Sequence, residues 1–286
     1  MTTHFQSIFR DGLFAGQAGI VTGAGSGIGR CTAHELAALG ARVALVGRRI
    51  ERLEAVAREI AEAGGSAKVY AADIREEERV REVVRSALAD FGRLDFLVNN
   101  AGGQFFAPLE TISAKGFDSV VKTNLHGGFL MAREAYVQWM KGRGGAIVNM
   151  IADMWSGMPL LGHSGAARAG MLNVTETAAL EWAPVRVNAV APGWIASSGL
   201  EQYPAEMRER FKGLPKKVPL GRLGTESEVS AAIVFLLSPA ASFISGSCIR
   251  IDGAVPNVKY SYPVQQRPPT AAFDGFHLAA GPKAPE

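Results

Sequence analysis

The chain has 286 residues, 48% of them hydrophobic, with Lys+Arg 30 against Asp+Glu 27 and a formal net charge of +3; that apolar share supports a sizeable core and excludes a disordered or collagen-like chain. The basic residues are scattered, which argues against a nucleic-acid partner, and no apolar run approaches the roughly 18 residues of a membrane span. Cys31 and Cys248 stand far apart with no Cys or His at metal-ligand spacing, so no disulfide scaffold and no metal site are expected, and a reducing, cytoplasmic setting is.

The N-terminal MTTHFQSIFRDGLF lacks a basic head followed by an apolar stretch, so no secretory signal is read. Ala18–Thr22 reads as the first strand and runs into AGIVTGAGSGIG at 18–29, a buried strand, a glycine-rich turn and the start of a helix over Ile28–Leu39. A second strand, Arg42–Gly47, ends in Arg48 and Arg49 and leads to a helix over Ile50–Ala63. Strand Ala67–Ala71, helix Glu76–Phe91 and strand Leu94–Val98 follow, then a long helix over Asp118–Lys141. Strand Ala146–Ile151, helix Ala166–Trp182, strand Val185–Val190, helix Glu226–Ser238 and strand Ser247–Ile251 complete the series.

Nearly all these strands are apolar throughout, as parallel strands covered on both faces must be. Alternation with helices predicts an α/β fold: one doubly wound, mostly parallel, single-domain sheet over residues 1–254. Residues 255–286, rich in Pro, Ala and Gly, are expected to be a C-terminal extension packed over the domain or partly disordered. The irregular stretch Gly193–Val218 is long enough to be an active-site lid.

Gly23, Gly27 and Gly29 follow the spacing G-x-x-x-G-x-G directly after the first strand. Glycines there permit a tight turn and close approach of a pyrophosphate, while the helix N-terminus offers free N–H groups to negative charge. An ordinary strand–helix turn is the plainer alternative; its place after the first strand favours a dinucleotide. After the second strand an acid would accept hydrogen bonds from an adenosine ribose, but Arg48 and Arg49 stand there. Guanidinium groups suit a 2′-phosphate, so NADP(H) is the expected cofactor; a solvated helix start is the alternative reading.

These features, with Asp73-Ile74, Asn99-Asn100-Ala101-Gly102, Asn124, RVNAVAPGWI at 186–195 and IDG at 251–253, resemble the short-chain dehydrogenase/reductase family. The motifs occur in the family's order from residue 15 to about 254. The resemblance implies a Rossmann-like sheet in which Gly23, Ser26, Gly27, Ile28 and Gly29 hold the cofactor phosphates. It also implies Asp73 and Ile74 at the adenine, Asn100, Ala101 and Gly102 along the cofactor, and Pro192, Gly193 and Ile195 beside the nicotinamide. A homo-tetramer is implied as well, with the helices Asp118–Lys141 and Ala166–Trp182 and the last strand at its interfaces.

The chain departs from the family's catalytic set. Met150-Ile151-Ala152-Asp153 stands where the serine is expected, and Ser164-Gly165-Ala166-Ala167-Arg168 replaces Tyr-x-x-x-Lys. Peroxisomal trans-2-enoyl-CoA reductase and the 2,4-dienoyl-CoA reductases lack the tyrosine too. The former is similar at NNAGGQF (99–105), ISAKGF (112–117), HSGAARAG (163–170) and LLSPAASFISG (236–246). Bacterial citronellol/citronellal dehydrogenases are another similar group. The sequence closes on KAPE rather than SKL, from which a bacterial, cytoplasmic member is expected.

Alcohol–carbonyl interconversion needs an acid–base group on the substrate oxygen, and Arg168 cannot supply one because guanidinium stays protonated. Conjugate reduction of an enoyl thioester asks instead for donors at an oxygen that becomes an enolate; the Ser164 hydroxyl and the Gln104 amide can donate. Reduction of a trans-2-enoyl-CoA is therefore the first expectation. An acyclic-terpenoid alcohol dehydrogenase and a catalytically degenerate NADPH-binding protein are the alternatives. Ser164, Arg168, Asn124 and His163 form the candidate catalytic set, with Arg168 also bridging the nicotinamide ribose and Asn124 relaying water as in the family. His163 reads as a proton donor or a satisfied structural residue, and Asp153 as a group orienting water or as a loop cap. Gln104, Phe105, Trp155 and Trp194 are substrate-pocket candidates, with ordinary loop packing as the alternative.

Overall fold

Seven parallel strands make the central sheet of the computed structural model, which describes residues 3–197, 209, 211–259, 261–266 and 268–279. They are β1 (Ala18–Thr22), β2 (Arg42–Gly47), β3 (Ser66–Ala71), β4 (Phe96–Asn99), β5 (Gly145–Met150), β6 (Val185–Pro192) and, last in the sheet, β9 (Cys248–Ile251). Two-residue strands β7 (Ile195–Ala196) and β8 (Gly224–Thr225) pair separately. The sheet order is β3-β2-β1-β4-β5-β6-β9, every neighbour parallel. This is the doubly wound Rossmann-like single domain that the strand–helix alternation predicts.

Side chains alternate across each strand, so an all-apolar strand feeds two cores at once. Val21, Leu45, Val98 and Val148 pack on one face with α1 (Gly27–Ala38), α2 (Ile50–Glu62) and α7 (Glu226–Leu237). Ile20, Val46, Leu97 and Ile147 pack on the other, beneath α3 (Glu77–Phe91) and α5 (Gly127–Ala135). At about 25 cal/mol per Å² of apolar surface removed from water, these two layers are the main stabilisation of the sheet.

Two helix starts differ from the sequence reading and the long helix is interrupted, with consequences for the site. The long helix starts four residues early, as α4 (Ala114–Val121), because the Ser113 hydroxyl accepts from the Gly116 N–H at 3.1 Å. It widens into a π-helical turn over Lys122–His126 before α5 and again over Tyr136–Met140. Such turns often accompany functional positions, and Asn124 lies in the first. Helix α6 spans Gly162–Glu181, so His163 and Ser164 occupy its first turn rather than a loop. Its glycine-rich start carries no side-chain cap, which removes the usual sequence signal.

The C-terminal stretch is described to residue 279 and packs on the domain. Gly275 and Phe276 N–H groups both donate to the Ser227 hydroxyl at 3.1 Å, and Phe276 is buried with Phe5 and Cys31. Part of the expected lid, residues 198–208 and 210, and the chain beyond 279 lie outside the described residues. No described helix is long and apolar enough to cross a membrane.

Candidate active site

All seven sheet strands run the same way, so the loops after β1 to β6 open at one edge. Strand order reverses between β1 and β4, and a crevice at that switch point is where open α/β sheets take ligands. The glycine turn begins it. Gly23 has φ +66, and a Cβ there would lie 2.8 Å from Asn100 Nδ2 and 2.9 Å from Ala101 Cα, so only glycine fits. Ser26 precedes α1 with extended backbone and makes no side-chain cap, leaving the first N–H groups of the helix to a ligand.

Asn100 braces this turn. Its Nδ2 donates to the Thr22 carbonyl at 2.9 Å and reaches the Gly23 carbonyl at 3.4 Å. In return Thr22 Oγ1 accepts from the backbone N–H groups of Asn100 at 3.0 Å and Ala101 at 2.9 Å. Sequence reasoning missed Thr22; a polar residue closing an apolar strand was the available signal. The same signal marks Asn99 at the end of β4, which pairs in register with Asn149, one residue from the end of β5. Asn99 Nδ2 donates to Asn149 Oδ1, and Asn149 Nδ2 donates to Thr175 Oγ1 of α6, both at 2.9 Å. This buried ladder holds α6 against the strand ends.

Arg48 and Arg49 are exposed beyond β2. Asp73, after β3, has its carboxylate held by Arg75, whose Nε lies 2.9 Å from Oδ1 and whose Nη2 lies 2.5 Å from Oδ2. Arg75, with Arg48 adding its charge, keeps that carboxyl below the usual range. Arg75 is a further cation here that sequence reasoning did not single out. Ile74 is buried against Gly127 at the start of α5.

Helix α6 brings the catalytic candidates together. Ser164 and Arg168 sit four apart and so share a face. Ser164 is completely buried; its Oγ donates to Gln104 Oε1 at 2.7 Å and takes a long 3.4 Å contact from Asn124 Nδ2. Asn124 Oδ1 accepts from the Gly103 N–H at 2.8 Å. His163, equally buried, accepts the Ser164 N–H on Nδ1 at 2.9 Å. Its Nε2 has no hydrogen-bond partner, and its ring stands edge-on to Phe105 at 4.4 Å. Arg168 donates to the Met150 carbonyl at 2.5 Å and passes so close to Gly102 that a Cβ there would lie 2.5 Å from its Nη2. Burial alone pushes this guanidinium down to about 10, with no carboxylate contributing. It therefore remains a cation at neutral pH.

The aromatic candidates divide. Phe105 is 40% exposed over His163, whereas Trp155, 45% exposed, lies beneath the Arg250 guanidinium at 5.0 Å. Arg250 Nε donates to Asp252 at 2.8 Å, and Asp153 lies near both; burial, with Asp252 adding, pushes the Asp153 carboxyl up. Trp194 follows Pro192 and Gly193 and lines a cavity of about 370 Å³ with Leu220, Arg222 and Arg250. Ile195 is buried in β7. Among the described residues no group of three or more His, Cys, Asp and Glu could hold a metal ion.

With this geometry in place, comparison with known proteins is decisive for the family. The family described as enoyl-(acyl carrier protein) reductase matches residues 23–255. This chain belongs to the short-chain dehydrogenase/reductase family. It is an oxidoreductase. The Probable 2,4-dienoyl-CoA reductase of Bacillus subtilis is 38% identical over 242 residues, covering 83% of this chain and 95% of that protein. A solved citronellol catabolism dehydrogenase from Pseudomonas aeruginosa PAO1 is 61% identical with a TM-score of 0.80, covering 88% of this chain and 99% of its own. A solved chain from Beutenbergia cavernae, 35% identical with a TM-score of 0.79 and covering 85% and 98%, holds NADP at low occupancy. The family binds a nicotinamide cofactor, and the residues here fit one: an uncapped helix start, a turn with no room for a Cβ, and a buried cation without an acid.

Proposed function

We propose that this short-chain dehydrogenase/reductase uses NADP(H) to reduce the conjugated carbon–carbon double bond of an acyl thioester, with trans-2-enoyl-CoA as the test substrate. The observation that carries the reading is the cluster at Asn124, Ser164 and Gln104, which offers hydrogen-bond donors and no group that exchanges a proton near neutrality. The cofactor supplies hydride to the β-carbon. The chain's own residues hold the thioester oxygen while negative charge grows there, and each preorganised donor contributes a few kcal/mol.

The cofactor placement we propose uses the residues described above. Gly23, Ser26, Gly27, Ile28 and Gly29 take the phosphates at the start of α1, and Arg48 and Arg49 take the 2′-phosphate. Asp73 and Ile74 flank the adenine. Ala101 and Gly102 line the path to Arg168, which holds the nicotinamide ribose, while Pro192, Gly193 and Ile195 back the ring. Asn100 acts through the turn it braces. Phe105, Trp155 and Trp194 are assigned to the acyl group. The similarity to 2,4-dienoyl-CoA reductases supports a conjugated thioester, and a cytoplasmic homo-tetramer is the assembly we assign from the family.

A second reading is favoured by the 61% identity to the citronellol catabolism dehydrogenase: oxidation of an acyclic terpenoid alcohol. It requires a base at the substrate oxygen. His163 is the nearest titratable group to Ser164, and its Nδ1 is already occupied by the Ser164 N–H. NADPH consumption with enoyl- and dienoyl-CoA thioesters, set beside NADP⁺ reduction with citronellol, separates the two. Turnover of the thioesters is expected; turnover of citronellol alone would overturn the proposal.

A further inference from the structure

The polarity of the chain Gly103–Asn124–Ser164–Gln104 follows from its first member. A backbone N–H can only donate, so the Asn124 atom facing Gly103 at 2.8 Å is the amide oxygen. Its Nδ2 is then the atom turned toward Ser164, at 3.4 Å, and Ser164 Oγ is an acceptor on that side. A hydroxyl has one proton to give. The 2.7 Å separation from Gln104 is typical of an O–H···O bond and short for an N–H···O bond, so the Ser164 O–H points at Gln104 Oε1. The Asn124 assignment thus descends from a backbone N–H, and that of Gln104 from the length of its bond to Ser164.

Two burial values complete the argument. Ser164 and Asn124 are 0% and 3% exposed, whereas Gln104 is exposed at the mouth of the crevice. Anything entering from solvent meets Gln104 before it meets Ser164. With Oε1 engaged by the hydroxyl, the free face of the Gln104 amide is its Nε2, a donor.

We infer that Gln104 Nε2 is the hydrogen-bond donor to the substrate's thioester oxygen, and that Ser164 and Asn124 are positioning residues that orient its amide. This rests on the conjugate-reduction reading above and assigns its oxyanion donor. Ser164 Oγ, accepting from Asn124 and donating a hydrogen bond to Gln104 Oε1, lowers the freedom of the glutamine side chain and polarises it toward donation. The hydroxyl itself does not touch the substrate.

The test compares Gln104→Met, Gln104→Glu and Ser164→Ala with wild type in full-length protein, using trans-2-enoyl-CoA and NADPH. Gln104→Met removes the donor with little change in length, and Gln104→Glu keeps the acceptor for Ser164 while replacing the donor by an oxygen. Both Gln104 variants are expected to lower kcat about 10²–10³-fold, as loss of one oxyanion donor does. KM for the thioester and Kd for NADPH, read from nicotinamide fluorescence, should stay within about threefold of wild type. Ser164→Ala should lower kcat only about tenfold, since the amide loses its support but not its N–H. Gln104→Glu keeps an acceptor for the buried Ser164 hydroxyl, so its thermal unfolding should match wild type, whereas Gln104→Met leaves that hydroxyl unpaired and should unfold at a somewhat lower temperature. A Gln104→Met enzyme retaining more than about a third of wild-type kcat, beside a 10²-fold loss in Ser164→Ala, overturns the inference and returns the donor role to the hydroxyl. Wild type without turnover on any unsaturated thioester overturns the functional reading and the inference with it, before any variant is compared.

Discussion

Thr22 and Asn100 hold each other twice: the Asn100 backbone N–H donates to Thr22 Oγ1 at 3.0 Å, and Asn100 Nδ2 donates to the Thr22 carbonyl at 2.9 Å. The ends of β1 and β4, 78 residues apart in the chain, are thereby locked at the point where strand order reverses. Thr22→Val keeps the shape but strips the acceptor from two backbone N–H groups, at a cost of about 1–3 kcal/mol. The expected result is a lower Tm together with NADPH affinity weakened about fivefold or more, both recovered in Thr22→Ser. A Thr22→Val protein with wild-type affinity by fluorescence titration would show that the turn needs no such brace.

Arg48 stands exposed beside the Asp73–Arg75 pair. If it binds a 2′-phosphate, removing one charge-assisted contact costs roughly 1.5–3 kcal/mol, so Arg48→Ala should weaken NADPH binding about tenfold or more. NADH affinity should barely move. Equal wild-type affinity for the two cofactors would contradict the assignment.

Arg168 is a buried cation without an acid, held at about 10 by burial and still charged at neutrality. Arg168→Ala should raise the NADPH KM and add no ionisation to the pH profile of kcat. Arg168→Lys should behave differently. A lysine ammonium desolvated at the same place falls well below its usual range, so NADPH affinity in that variant should decline as pH rises toward about 9. An Arg168→Lys enzyme with a flat profile would indicate that water or an acid reaches the site.

Glu35 of α1 is fully buried, with the Ser7 hydroxyl donating at 2.7 Å and the Ser230 hydroxyl at 2.5 Å. Burial raises its carboxyl from 4.5 to about 7. The native state therefore holds a proton that the unfolded chain releases above pH 4.5, and stability falls as pH rises from there through about 7. The loss is on the order of 3 kcal/mol at most. His34, lowered to about 4 by burial, acts in the opposite sense, losing stability as pH falls from 6.5 toward 4. Comparing wild type with Glu35→Gln cancels that contribution. The variant should gain on wild type in Tm at pH 8 relative to pH 5; a difference independent of pH would contradict a protonated Glu35.

Much of the architecture was legible because it rests on local rules. All-apolar strands separated by helices can only be a covered parallel sheet, and the glycine turn after β1 announces a close ligand. The register of Ser164 and Arg168 against the family's Tyr-x-x-x-Lys was also legible, although the helix that puts both on one face begins four residues before the sequence reading. What escaped the sequence was tertiary or weakly signalled. The start of α6 at Gly162 has no capping side chain, and the π-helical turn around Asn124 has no residue code. The contact of Ser164 with Gln104 joins residues 60 apart and exists only because β4 and the loop before α6 end at the same edge. Thr22 and Asn99 close apolar strands and Asn149 stands one residue from the end of another, a signal present but not used. Trp155 lies under Arg250 at the end of β9, a neighbour that loop position alone could not show.

The most direct test follows the hydride. NADPH carrying deuterium at both C4 positions of the nicotinamide is incubated with the enzyme and trans-2-enoyl-CoA, and the saturated product is examined by mass spectrometry and NMR. Conjugate reduction predicts one deuterium on the β-carbon of the acyl chain and a solvent-derived hydrogen on the α-carbon. Failure to form saturated thioester, with deuterium appearing instead at the carbinol carbon when citronellal is supplied, would contradict the account.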